Sequence, residues 1–404
     1  MFTAVSKMAL VGEGSHGCVH KPSLYCKKTG TTKGKISKTM KAMEAALEFS
    51  QYEMIHTADV GEEFHVGMPE VCDIDDALPS NKTSLLKCDI GREVLHGAHM
   101  YKLLVMKDGG QNLDDYSHIV RTWATSPEST HLCHEFLIET LRLFRGLRHF
   151  QTHGILLNDI KPQNIVYNGK RLNFIDFGMT KHLISEKKNL LRGSNNYEYS
   201  IFHWNFPWEM VFLNHRSNFE SIAKVYKKLL RSDFNLEKGH YVHLNAFFSC
   251  RVNSNQRQAN INYTFDDFDE FVDAVVLKEL TYDEFVPMCM DTIDSYGLGL
   301  TLLNWLHFAE KHLGITLVAC LSSIYQGMVC QNVTKRLTVE IAMNMFETVL
   351  KSSGILHGKV IVDHVVVDDD KQKVRKVTED FVSDPKVMDA RPSPSKRSFT
   401  CKRK

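Results

Sequence analysis

The sequence predicts an α+β fold, with strands gathered before residue 107 and helices dominating after it. Three observations carry this. Residues 5–55 read as strand, glycine-rich turn, strand and then helix. Residues 101–106 (Tyr-Lys-Leu-Leu-Val-Met) form a compact apolar strand that Lys107, Asp108, Gly109 and Gly110 end. Residues 131–152 place Leu132, Phe136, Leu137, Leu141, Phe144, Leu147 and Phe150 at helical spacing.

The remaining elements follow in order. Residues 57–98 are polar and turn-rich, with short strand candidates at 64–68 and 84–88. Two short strands, 165–167 and 172–175, flank the turn Asn168-Gly169. The stretch 211–290 is long and mixed. Its run Phe265-Asp266-Asp267-Phe268-Asp269-Glu270-Phe271 reads as a solvated acidic turn. Residues 298–312 and 339–351 read as helices. Residues 371–404 hold eleven Lys and Arg against four Asp and Glu, which favours a flexible basic tail.

Bulk properties narrow the class. The chain has 404 residues, 43% hydrophobic and 24% charged, which suits a globular protein with a large core of two or three lobes or domains. A formal net charge of +1 gives no global field toward nucleic acid or membrane. No apolar run reaches the roughly 18–20 residues of a spanning helix, and the N-terminus carries no signal-like segment. The ten cysteines are scattered with no C-x-x-C pair, and are expected to be reduced and mostly buried.

Three motifs carry chemistry. Gly12-Glu13-Gly14-Ser15-His16-Gly17-Cys18-Val19 has the form G-x-G-x-x-G-x-V, in which glycines let backbone N–H groups approach phosphates. It runs on as a strand, which suggests a hairpin and disfavours a dinucleotide-binding turn that opens a helix. Lys38 lies on a short strand, and Glu48, on the helix after it, could hold the ammonium in an ion pair. Lys35 and Lys41 are alternatives to Lys38, and Glu44 and Glu53 to Glu48. The third motif, Asn158-Asp159-Ile160-Lys161-Pro162-Gln163-Asn164, is followed by Asp176-Phe177-Gly178. Together they supply a carboxylate for an attacking hydroxyl, a cation for a γ-phosphate and oxygen ligands for Mg²⁺.

With these residues the chain resembles the eukaryotic-type protein kinase superfamily over most of 5–350. The resemblance implies a bilobal fold: an antiparallel-sheet N-lobe near 5–106 and a mainly helical C-lobe near 111–350. Inserts fall near 57–98 and 211–290, and 355–404 forms a C-terminal extension. It implies ATP and Mg²⁺ as cofactors and Ser/Thr hydroxyls of proteins as acceptors. Lys38 would contact ATP phosphates, with Glu48 anchoring it. Asp159 would take the acceptor proton, Lys161 would sit on the γ-phosphate, and Asn164 and Asp176 would bind metal. Residues 12–19, with Met106 and Asp108 at a hinge, would line the nucleotide. Pro207-Trp208-Glu209 resembles the end of the activation segment, Arg336 its buried partner, and Asp294-Ser295-Tyr296-Gly297 a helix start whose acid supports the catalytic loop. Gly-Cys-Val, Lys-Pro-Ser-Leu-Tyr-Cys and Ile-Ser-Lys are similar to kinases of nucleocytoplasmic large DNA viruses. That implies an intracellular protein of the host cytoplasm, with virion association and nuclear entry left open.

Two other readings stand beside this one: a kinase-shaped scaffold without activity, and a structural protein that binds nucleic acid through its basic tail. Sequence-specific nucleic-acid binding is not expected. Weak binding of acidic surfaces by the tail is an open alternative. One departure has a consequence. Where the family carries His-Arg before the catalytic Asp, this chain has Leu157-Asn158. No arginine is there to receive an activation-loop phosphate. Activity is therefore expected to survive substitution of every Ser, Thr and Tyr between Met179 and Phe206. A folded but inactive product would count against this.

Overall fold

The computed structural model describes residues 8–14, 17–27, 32–200, 204–233 and 254–356. Ser15, His16, most of the 355–404 extension and part of the 211–290 stretch lie outside them. Five antiparallel strands form the first sheet, in the order β1 (Ala9–Gly14), β2 (Gly17–Lys21), β3 (Lys35–Lys41), β5 (Tyr101–Lys107) and β4 (Glu70–Cys72). The hairpin closes at Gly14 opposite Gly17. Gly17 has φ +148°, and a Cβ there would sit 2.0 Å from the Thr39 carbonyl oxygen, so no other residue fits.

Helix α1 (Ala42–Ala58) leaves β3 without a loop and returns across the sheet. Ala45, Glu48, Tyr52 and Ile55 repeat at three or four residues, so this face is buried. After β4 the chain makes two short helices, α2 (Pro79–Leu85) and α3 (Gly91–His96), before β5. The strand expected at 84–88 is therefore the end of a helix and a turn, and that expected at 64–68 is reduced to one bridge between His65 and Phe174. Pro79 at the first helical position explains the helix, a signal that outweighs the apolar pair Leu85-Leu86.

The cysteine expectation also needs correction. Cys18 is joined to Cys88 and Cys26 to Cys72, with Cα–Cα distances of 6.2 and 5.8 Å. Both distances suit a disulfide. Partners 70 and 46 residues apart meet only through the tertiary fold, so spacing could not show them. Both links fasten the hairpin side of the sheet to the 72–88 stretch.

After β5 the chain is mostly helical. Gly109 and Gly110 carry it past Val166 and Tyr167 into β6 (Gln111–Asn112) and α4 (Leu113–Thr122). Helix α5 (Pro127–Thr152) is started by a reciprocal Ser126–Ser129 cap with Pro127 in its first turn. Strands β7 (Ile155–Leu156), β8 (Ile165–Tyr167), β9 (Leu172–Phe174) and β10 (Lys181–His182) follow, then α6 (Leu183–Leu191) and α7 (Phe219–Asp233). The last helices are α8 (Ser254–Val276), α9 (Tyr282–Ala309), α10 (Ile315–Met328) and α11 (Val339–Ser352). Among the described residues no helix is long and apolar enough to cross a membrane.

Two expectations about this part change. Asp294 is not at a helix start but inside α9, which begins at a Thr281–Glu284 capping box. The run 265–271 is not a solvated turn. It lies in α8, with Phe265, Phe268, Phe271, Val272 and Val275 buried against the core. Phe268 packs on Trp208 and Phe212, with ring centroids 5.5 and 6.2 Å apart. The described part of the 211–290 stretch thus adds one apolar face to the core. Replacing Phe271 by Ala is expected to cost about 3–5 kcal/mol in denaturant unfolding. A loss within about 0.5 kcal/mol would match an exposed residue instead.

Candidate active site

The site is assembled where the first sheet meets the β8–β9 hairpin. Register places Lys38 between Val19 of β2 and Leu104 of β5. Its ammonium lies 2.7 Å from Glu48 Oε2 and 3.0 Å from Asp176 Oδ1. Of the alternatives left open by the sequence, Lys35 pairs with Glu70 instead. Glu48 is selected because it lies on the buried face of α1. Burial disfavours the Lys38 charge, but Asp176 and then Glu48 outweigh it and raise its pKa. Burial likewise raises the Glu48 carboxyl, with Lys38 opposing. Asp176 is lowered, because Lys38 and, further off, Lys161 overcome its desolvation.

Helix α1 grips the Asp-Phe-Gly segment at two further points. The Tyr52 ring meets Phe177 edge-on at 4.9 Å, and Gln51 Nε2 donates to the Gly178 carbonyl at 2.9 Å. These contacts fix where the Asp176 carboxylate sits relative to Glu48.

The β8–β9 ladder pairs Ile165 with Phe174, and the Ile175 amide donates to the Asn164 carbonyl at 3.0 Å. Asn164 and Asp176, just past the end of that ladder, are thereby brought side by side. Asn164 Nδ2 donates to both the main-chain oxygen and Oδ2 of Asp159, each at 2.9 Å. That turns the amide oxygen, Oδ1, away from the loop. Among the described residues no hydrogen bond is formed by this oxygen. It is a hard-oxygen ligand on the residue whose carbonyl holds the amide just before Asp176, and an amide oxygen with a carboxylate suits a small divalent cation.

Asp159 is the best-supported acid. Lys161 Nζ donates to its Oδ2 at 2.8 Å, and Asn205 Nδ2 to its Oδ1 at 2.9 Å. The loop backbone is held from behind: Asp294 accepts from the Leu157 and Asn158 amides, each at 2.8 Å. Asn158 has φ +65° and Asp176 φ +59°. Asn and Asp are the side-chain-bearing residues that best tolerate this left-handed region. Farther back, Arg336 Nη1 meets Glu209 Oε1 at 2.7 Å with both side chains fully buried, so these two are not surface charges.

The nucleotide-lining candidates are spread along the sheet edge. Gly12 pairs with Val19, which lies next to Lys38. Glu13 turns toward the 73–100 stretch, where its Oε1 accepts from the Asp89 amide at 2.6 Å. The Cys18 sulfur is taken by Cys88. Met106 is buried and accepts from the Tyr52 hydroxyl at 3.8 Å. Asp108 pairs with Lys21 at 2.7 Å, and its amide donates to the Gly34 carbonyl. Neither Asn205 nor Gln51 carries a local signal, since each acts on a loop far along the chain.

No protein-family model and no curated protein matches this chain.

Asp294 gives the site a pH signature. Burial pushes its carboxyl from the ordinary 3.8 up to about 6, with the Leu157 and Asn158 amides pulling back and Asp159 adding to the rise. The folded state therefore holds this proton more tightly than the unfolded chain. The stabilising contribution is full below about pH 4 and is lost as pH rises through about 6, a swing of about 3 kcal/mol. Urea unfolding of wild type and Asp294→Asn across pH 4–7 is expected to show this component of the slope in wild type only. Equal slopes would remove the assignment.

Proposed function

We propose that the chain is a bilobal, ATP- and Mg²⁺-dependent serine/threonine protein kinase, with the sheet-rich N-terminal part and the helical part as its two lobes. The observation that supports it best is the Lys38 ammonium shared by Glu48 and Asp176, beside the loop on which Asp159, Lys161 and Asn164 converge. Phosphoryl transfer asks chiefly for positioning and for charge opposite the phosphate oxygens. This set has two ammonium groups, three acids and an amide oxygen within one small region.

In this reading Lys38 holds the α- and β-phosphates, and Glu48 keeps the ammonium aimed. Lys161 offsets charge on the γ-phosphoryl oxygens. Asp159 orients the acceptor hydroxyl and takes its proton as the new P–O bond forms and ADP departs. Asn164 Oδ1 and Asp176 would hold Mg²⁺, which supplies positive charge across the phosphates. The Lys161–Asp159 pair keeps the γ-phosphate ligand and the base together, so hydroxyl and phosphorus are held within attacking range. Lys161 after the catalytic acid is the feature that favours Ser/Thr acceptors.

The test is transfer of labelled γ-phosphate from Mg²⁺-ATP to a generic basic protein and to a Ser/Thr peptide library. Asp159→Asn is expected to lower kcat about 10²–10⁴-fold, and Asp176→Ala to abolish metal-dependent transfer. Equal transfer by wild type and Asp159→Asn would refute the proposal, and so would no transfer at all from folded wild type.

A further inference from the structure

The described residues from Gly178 to Ser200 are fastened by acids that belong to the sequence itself. Lys181, on β10, points its ammonium at Glu198 Oε2 at 2.5 Å and at Glu186 Oε1 at 3.6 Å. It also lies 4.5 Å from the centre of the buried Tyr199 ring, within cation–π range. The Lys181 and Glu186 side chains are each only 15% exposed, so this junction is poorly screened. Asn196 Nδ2 donates to Glu186 Oε1 at 2.9 Å. Asn214 then ties the same stretch to the helical part: its Oδ1 accepts from the Asn196 amide, and its Nδ2 donates to the Asn196 carbonyl and to Ser200 Oγ.

Two separate contacts lead from the described stretches 178–200 and 204–208 to the Asp159 loop. On one side, Lys181 pairs with Leu156 in the β7–β10 ladder, three residues before the acid. On the other, Asn205 donates directly to Asp159 Oδ1. At position 158 the buried side chain is a neutral amide and offers no cation to a phosphate.

We propose that Glu198 is a positioning residue: paired with Lys181, it holds residues 194–200 so that Asn205 stays on Asp159, in the role an added phosphate would otherwise fill. The proposal rests on the kinase reading and adds a cause for activity without modification. Glu198 does not touch substrate; it acts through the segment.

The experiment uses the full chain, treated with phosphatase and shown by intact mass to carry no phosphate. Glu198→Gln, Glu198→Asp, Lys181→Met and the charge swap Glu198→Lys with Lys181→Glu are compared with wild type. Tyr199 is left in place because it is buried. Two readouts are taken: amide hydrogen exchange over 194–200, and kcat and KM for transfer. An ion pair, discounted for the partial exposure of Glu198, predicts exchange about 2- to 5-fold faster in Glu198→Gln. A fall in kcat of similar size is expected, with KM for ATP unchanged, partial recovery in Glu198→Asp and recovery in the swap. Unchanged exchange in Glu198→Gln overturns the proposal whatever the activity. So does a wild type that transfers phosphate only when modified between 179 and 206. A wild type with no transfer in any state sinks the kinase reading instead, and the exchange data still decide whether Glu198 holds the segment.

Discussion

A single ammonium, Lys38, joins three separate pieces of chain. It sits on β3, and its two acids come from α1 and from the Asp-Phe-Gly segment 138 residues away. Two buried charges, with the Asp176 carboxylate at the open edge as the third, make such a junction demanding. Losing one acid leaves a single balanced ion pair; losing the lysine leaves two acids facing each other. The arrangement persists because α1 is pinned by apolar contacts as well, through Tyr52 on Phe177 and Ile55 in the core. Packing fixes the helix, the helix fixes Glu48, and Glu48 fixes the lysine.

The parts legible in the sequence are those built locally. The glycine hairpin, the strand 101–107, helix α5 and the β8–β9 hairpin are set by short-range pattern and turn chemistry, and they stand close to where the pattern put them. Helical phase after residue 42 was enough to favour Glu48 over its neighbours. What stayed hidden depends on partners far along the chain. Asn205 reads as a turn residue until Asp159 is set beside it. The cysteine links needed the whole sheet. In α8, acids interleaved with phenylalanines looked like a wet turn, although the aromatics recur every three residues. Asp267, the buried acid among them, finds Lys335 and Cys330 more than 60 residues later.

The helical part shows how a costly buried charge pair can be supported. Arg336 and Glu209 are both removed from water, which needs further bonds to be tolerable. Arg336 also donates to the Cys330 carbonyl and to Thr292 Oγ1, and its guanidinium lies over the Tyr296 ring. The pair therefore links α9, the loop between α10 and α11, and the Pro-Trp-Glu turn at one point. The aromatic face of α8 closes over Trp208 beside it, so the described part of the long middle stretch shelters this link from water.

The left-handed backbone at 158 and 176 constrains which sequences a lineage can explore. At either position a β-branched residue would meet a steric penalty before any chemistry was at stake, whereas Leu157 next door has no such restriction. An arginine at 158 would bear that backbone cost in exchange for a cation. Asn158 avoids much of that backbone cost, but its Nδ2 and Oδ1 are both buried without a hydrogen-bond partner among the described residues. The turn at 158 thus exchanges a steric cost for a polar one, and the two together narrow the residues that fit there.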